Sequence, residues 1–326
     1  MKHLPLSRRQ LLAAGLASLA PAYGLAQAWP ARPVRLVVAG PAGANADIVA
    51  RLVAEPLSRE LGQPVIVDNK PGAAGAIAIA DLLQAPRDGH TLLIGVNALV
   101  SEIPHIVKLR WDMAKEIRPL AELARGGLVL VANPAVPAKD LKELVAYAKA
   151  NPGKLNYASY SPGTLSHVLG LLLNRAAGIQ LTHVGYKGST PALADVMGNH
   201  VPLMFDGVGT SLPLIRSGKL KAYAVSTPKR LPQLPDVPTF SELEYPQLDA
   251  LAWMGLWSTP EVPAAVQARV REATLKVLGD AAVRARLLDT GFEPGLPRTT
   301  DDMTRGLKAD YDRVGGVLQS IGFKPE

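Results

Sequence analysis

Val34-Arg35-Leu36-Val37-Val38-Ala39-Gly40-Pro41-Ala42-Gly43-Ala44-Asn45-Ala46-Asp47-Ile48-Val49 is the stretch whose reading decides the fold. Val34 to Ala39 is a short apolar run ended by Gly and Pro, the pattern of a buried strand. A loop of small residues follows, and Asp47 opens a helix that carries Ile48, Val49, Leu52, Val53, Leu57 and Leu61 on one side. Strand, small-residue loop and amphipathic helix together make a βα unit. Pro56 falls inside the helix and is expected to kink or shorten it, because it lacks the N–H the next turn needs.

The same alternation continues outward from this unit. Further strands are read at Val65 to Val67, Thr91 to Gly95, Leu128 to Ala132, Leu155 to Ser159, Gln180 to Val184, Val201 to Phe205, Leu220 to Val225 and Trp253 to Ser258. Helices are read near Ala138 to Ala150, Thr164 to Ala177, Thr190 to Met197 and Ser211 to Ser217, and three more close the chain. The last begins at Thr300, read as its N-cap, with Asp301 and Asp302 in the positive first turn. Its Met303, Leu307, Tyr311, Val314 and Leu318 step by three or four and form one apolar stripe suited to core packing. The class is α/β, with mainly parallel sheets flanked by helices.

The first residues read as an export leader and not as part of the fold. Lys2, Arg8 and Arg9 precede an apolar run from Leu11 to Leu19, and Ala26-Gln27-Ala28 fits a small-x-small cleavage site. The run is too short to span a bilayer, which takes about 20 residues. Ser7-Arg8-Arg9-Gln10-Leu11-Leu12 has the look of a twin-arginine signal. Residues 1–28 are therefore expected to be removed near Ala28, leaving a chain that begins at Trp29 in the periplasm. Its length suits two domains of about 150 residues each.

Composition narrows the function. The chain has no Cys, which excludes disulfides, thiolate metal sites and Cys nucleophiles. The formal charge of +7 includes the three leader cations, and the remaining Lys and Arg are interspersed with acids. With aromatics at only 5%, the basic stripe and stacking rings of a nucleic-acid surface are missing. The loop after the first strand is not G-x-G-x-x-G, and no P-loop, H-E-x-x-H or G-x-S-x-G occurs. Ser226-Thr227-Pro228-Lys229 matches a bare S-x-x-K without the S-D-N or K-T-G that would accompany it. His90, His105, His167, His183 and His200 show no metal-ligand spacing. Neither catalysis nor a cofactor is expected.

Two loop-to-helix junctions have the composition that binds anions: Gly40 to Asp47, and Ser159-Tyr160-Ser161-Pro162-Gly163-Thr164. Small residues free backbone N–H groups to face a ligand, and the helix behind adds its positive dipole end. Both lie after strands of an α/β pattern, where ligands tend to bind, although each can also be an ordinary capped turn. His167, on the first turn after the second junction, suits an orienting hydrogen bond. Asp206, before the Gly-rich Gly207-Val208-Gly209, can face a cleft or cap a helix. Tyr186 can wall a ligand, while Lys187 beside it can simply be solvated.

Ordered matches along the mature chain resemble the tripartite tricarboxylate transporter substrate-binding proteins, the Bug/TctC family. They include Trp29-Pro30-Ala31-Arg32-Pro33-Val34, Leu61-Gly62-Gln63-Pro64-Val65-Ile66-Val67-Asp68-Asn69-Lys70-Pro71-Gly72, Asp88-Gly89-His90-Thr91, Ala150-Asn151-Pro152-Gly153-Lys154-Leu155-Asn156-Tyr157, Tyr186-Lys187-Gly188 and Leu234-Pro235-Asp236-Val237-Pro238. The resemblance implies a type II-like periplasmic binding protein of two lobes closing on ligand. The expected lobes are 29–124 with 252–326, and 125–251. It also implies a monomer that captures a small carboxylate and hands it to membrane transporter subunits. A receptor feeding a signalling system and an α/β hydrolase-like enzyme are the alternatives. The implied ligand contacts are Gly43, Ala44, Asn45 and Asp47 from one lobe, and Ser159, Ser161, Gly163, Thr164 and His167 from the other, beside which Tyr160 in the second junction and Tyr186 stand as candidate contacts read from the residues themselves. Asp206 is placed toward the variable end of the ligand. Where the family loop usually reads Pro-Pro-Gly-Gly-x-x-Asp, this chain has Ala44 and Asn45. Either the ligand differs from simple dicarboxylates, or the loop shifts to keep its amide geometry.

Overall fold

Alternation within the first strand shows how the sheet is covered. In β1 (Val34–Val38), Val34, Leu36 and Val38 pack into one apolar cluster and Val37 into another on the opposite face. A strand buried on both faces belongs to a three-layer sandwich with helices above and below. The computed structural model, which describes residues 29–320, has two such sandwiches. The leader reading and residues 321–326 lie outside the described residues.

The first sheet has the strand order β11-β4-β10-β3-β1-β2. β2 (Val65–Asn69) and β3 (Thr91–Val96) run parallel to β1. β4 (Arg118–Gly126) and β10 (Ala252–Ser258) run antiparallel to their neighbours, and β11 (Glu293–Pro294) forms a short edge. One face carries α1 (Asn45–Leu61), α10 (Ala264–Gly279) and α11 (Ala281–Asp289). The other carries α2 (Ala76–Gln84), α3 (Ala98–Ser101), α4 (Ile103–Ile106), α5 (Met113–Glu116) and α12 (Thr300–Ser320). Leu36 is fully buried, so truncating it to Ala should cost about 2–5 kcal/mol.

The second sheet has the order β7-β6-β8-β5-β9. It is built from β5 (Leu128–Ala132), β6 (Asn156–Ser159), β7 (Thr182–Gly185), β8 (Leu203–Gly207) and β9 (Lys221–Val225). α6 (Leu141–Ala150) and α7 (Leu165–Ala177) cover one face. α8 (Ser189–Met197) and α9 (Val208–Arg216) cover the other. Both sheets are mixed and not mainly parallel as expected: β2, β1 and β3 run parallel in the first and β7, β6 and β8 in the second, whereas β5 runs antiparallel to β8 and β9. The antiparallel pairings gather around β4, β5, β9 and β10, the strands that carry the chain from one sheet to the other.

Three details depart from the sequence reading. α1 begins two residues earlier, at Asn45, and passes through Pro56 to end at Gly62, whose left-handed φ of 68° closes it. β4 has no counterpart in the reading, since Leu120-Ala121-Glu122-Leu123-Ala124 favours helix and only pairing with β10 makes it a strand. The cap of α12 is Thr299, not Thr300: Thr299 Oγ1 accepts from Asp302 N–H at 3.1 Å and donates to the Asp302 carboxylate at 2.6 Å.

The chain crosses between sheets from β4 to β5 and again between β9 and β10. Ser226 ties the two crossings together. Its N–H donates to Leu128 O at 2.8 Å, and its carbonyl accepts from Ala250 N–H at 2.8 Å. Its hydroxyl accepts from Leu128 N–H at 2.9 Å and donates to Ala250 O at 2.8 Å. The lone S-x-x-K match is therefore a structural pin, its hydroxyl committed on both sides while Lys229 is exposed.

Candidate functional site

The ends of the parallel strands in both sheets point to one cavity of about 110 Å³, measured as the space open to the centre of a water molecule. That is room for a small molecule, since one water needs about 10–15 Å³ on this measure. Gly40, Pro41 and Ala44 to Ala46 enter from the first sheet, and Tyr160, Ser161 and Thr164 from the second. Both anion-type junctions thus border the same space.

The first junction is stiffened by charge. Asp47 is 3% exposed, and its carboxylate accepts from Gly43 N–H at 2.8 Å and from Arg51 Nε at 2.9 Å. Burial pushes its carboxyl up, but the hydrogen bonds from Arg51, Gly43 and Asn69 prevail and hold it below its ordinary value. Asn69 Nδ2 donates to Gly40 O at 3.0 Å, closing the loop from its other end. The left-handed residue is Gly43, with φ 75°, while Ala44 is extended at φ −81°. An alanine at 44 is therefore unstrained.

Asn45 reaches across the cleft. Its Nδ2 donates to Thr210 Oγ1 at 2.9 Å and lies 3.4 Å from Ser189 Oγ, both on the second sheet's helices. The approach is so close that a Cβ on Gly207 would fall 2.5 Å from Asn45 Nδ2. Behind these hydroxyls sits Asp206, fully buried, accepting from Ser189 at 2.6 Å, Thr210 at 2.5 Å and Ser211 at 2.7 Å. Burial raises its carboxyl despite those hydroxyl donors. Asp206 lies behind the wall of the cavity, with its lone pairs already used.

The second junction is stiffened without charge. Gly163 (φ 79°) donates its N–H to His167 Nδ1 at 3.3 Å, so the neutral ring carries its proton on Nε2. His167 stacks on His183 with centroids 3.7 Å apart, and His183 Nε2 is 2.7 Å from Ser159 Oγ. Burial, reinforced by the neighbouring His183, lowers His167 to about 3, and burial lowers His183 to about 4. Thr164 Oγ1 donates to Ser161 O at 2.6 Å, closing the loop's own turn. Ser159 and His167 are buried and, like Asp206, stand outside the cavity lining. Gly163 faces the first sheet's helices: a Cβ there would lie 2.9 Å from Ile103 Cα.

Of the expected contacts, Ala44, Asn45, Tyr160, Ser161, Thr164 and Tyr186 line the cavity, and Tyr186 is held by its hydroxyl donating to Asp195 at 2.6 Å. Gly43, Asp47, Ser159, Gly163, His167 and Asp206 support that lining from behind. The sequence reading missed Gly72 to Gly75, where four successive residues have positive φ, Ala73 at 47° and Ala74 at 50° among them. Non-glycine residues held there store strain of about 1 kcal/mol or more each. Pro71-Gly72 marks a turn, but nothing in the letters shows the alanines' conformation. Lys187, Ser189, Met254 and Phe292 also border the cavity. Among the described residues no cluster of three or more His, Cys, Asp or Glu is placed to hold a metal ion.

The family model described as "Tripartite tricarboxylate transporter family receptor" matches residues 49–323. Among solved structures, the chain is similar to R. palustris Rpa4515 with adipate, at 30% identity and TM-score 0.87, covering 91% of this chain and 100% of that one. Periplasmic binding protein BugD matches at 30% identity and TM-score 0.86, again with 91% and 100% coverage. MatC from Rhodopseudomonas palustris with bound malate matches at 31% identity and TM-score 0.83, covering 89% and 100%.

Proposed function

Because the chain belongs to the tripartite tricarboxylate transporter receptor family, whose members are periplasmic solute-binding proteins and not enzymes, we propose that it captures a small carboxylate between its two sheets and delivers it to a membrane transporter of the tripartite tricarboxylate type. One observation carries this reading: two loop-to-helix junctions, one from each sheet, border a single cavity. In this reading residues 29–124 with 252–326 form one lobe and 125–251 the other, and they close on ligand by bending at the Ser226 crossing.

The backbone N–H groups of Asn45 and Ala46 and that of Ser161, on residues that line the cavity, grip the carboxylate, aided by the positive ends of α1 and α7. Tyr160 and Tyr186 wall the ligand body. Asp47, Ser159, His167 and Asp206 act one step back as positioning residues. The neighbours whose structures hold adipate and malate support the choice of carboxylates. Function in the periplasm follows from the family and presupposes export through the leader.

A thermal-shift screen of the mature protein against mono-, di- and tricarboxylates, amino acids and sugars tests the binding half. A ligand that binds only the folded state raises the melting temperature. The expected result is a shift with at least one carboxylate and none with sugars; shifts with sugars alone would refute it. The delivery half is tested by deleting the gene and measuring uptake of the best acid, which should fall.

A further inference from the structure

Among the described residues that line the cavity, Lys187 is the one that is charged. It is exposed in the loop between β7 and α8, and among the described residues its ammonium has no hydrogen-bond or ion-pair partner. Cations on the opposite lobe are already committed: Arg51 to Asp47, and Lys70 to Asp68 and Asp81. The Lys187 stem reaches the rim that Gly72 forms on the first lobe, its Cδ 3.9 Å from where a Cβ on Gly72 would stand. Among the described residues no carboxylate borders the cavity to receive a cationic group. Asp206 is buried behind Ser189 and Thr210, accepting from both hydroxyls.

We propose that Lys187 is the specificity-determining residue of the cleft, pairing with a second acidic group at the mouth while the junction amides hold the first, so that the site selects dianions over monocarboxylates and over zwitterions. This rests on the carboxylate-receptor reading. The amides act on any carboxylate whatever is attached to it, so discrimination must come from the far end of the ligand. There, Lys187 attracts an anion and repels an ammonium.

Calorimetric titration of the mature protein with succinate, glutarate and adipate, each matched to butyrate, valerate and hexanoate, tests the pairing. γ-Aminobutyrate serves as the zwitterion. The wild type should prefer each dicarboxylate to its partner, with γ-aminobutyrate weakest. Lys187→Gln should weaken dicarboxylates by about fivefold to tenfold, the size of one partly exposed charge-assisted bond, and leave monocarboxylates unchanged. Lys187→Arg should restore the preference, and added salt should erode it in the wild type more than in Lys187→Gln. Monocarboxylates binding as tightly as dicarboxylates, or an equal loss for both in Lys187→Gln, would overturn the role of Lys187 and leave the carboxylate reading standing. No binding of any acid in either series would overturn both.

Discussion

The two junctions that border the cavity do the same mechanical work with opposite chemistry. At Gly40 to Asp47 a carboxylate paired with Arg51 pins the Gly43 N–H. At Ser159 to Thr164 a neutral imidazole, stacked on a second, accepts from the Gly163 N–H. Each brace keeps a loop of small residues rigid at the start of a helix, so that its remaining amides stay free for a ligand. The difference lies in how each responds to protons. Asp47 has a lowered carboxyl, so its contribution is present above the unfolded value and is lost only as pH falls through the folded one. His167 and His183 are held neutral, and their contribution is lost as pH falls below the ordinary imidazole value of about 6.5.

The largest expected effect follows from that contrast. Between pH 6.5 and 5 the unfolded chain takes up protons that the two buried rings refuse, with folded values of about 3 and 4. Stability should fall by roughly 3 kcal/mol over this range, after discounting for the partial exposure of His183. Urea midpoints measured across pH check it, and His167→Gln should remove about half of the slope. An unchanged slope in that variant would mean that the rings do not set the second junction's acid response.

Asp47→Asn comes next. It keeps the shape but removes the ion pair, and should cost about 1–2 kcal/mol at pH 7 while weakening carboxylate binding severalfold, both readable by denaturation and calorimetry. Its effect on stability should shrink once pH is low enough to protonate Asp47 in the wild type. Thr164→Ala removes the hydroxyl that closes the second loop on Ser161, at a cost of about 1 kcal/mol in stability and a similar loss in ligand binding. If stability falls but affinity does not, Thr164 shapes the turn without serving the ligand. Asn45→Ala, the smallest, loses two of the bonds that join the lobes without touching either brace. It should change folding stability by less than about 1 kcal/mol and shift the ligand-free protein toward a larger radius of gyration in solution scattering.

Much of the architecture was legible in the sequence because the cues are local. Val34 to Ala39 followed by Gly and Pro can hardly be other than a buried strand and turn, and the last helix's stripe packs as read at Met303, Leu307, Val314 and Leu318 but not at Tyr311, which is exposed. β4 was not legible, because Leu120 to Ala124 favours helix and its strand form comes from pairing with β10, more than a hundred residues later. The site was half legible for the same reason. Composition locates both junctions, since small residues before a helix leave a mark in the letters. Which side chains face the ligand is a matter of tertiary contacts. Asn45 turns to Thr210, Asp206 is enclosed by three hydroxyls, and His167 turns back to Gly163. In the sequence Lys187 is one solvated cation among many, and only the tertiary contacts that set it on the cavity's rim make it differ from the rest.

The central claim is that one carboxylate is shared by the amides of both junctions. A crystal structure of residues 29–326 grown with the acid that gives the largest thermal shift tests it most directly. The expected result is carboxylate oxygens within hydrogen-bonding distance of the backbone N–H groups of Asn45 or Ala46 and of Ser161, with no cationic side chain at that end. A carboxylate held by only one junction, or bound outside the cavity between the sheets, would contradict it.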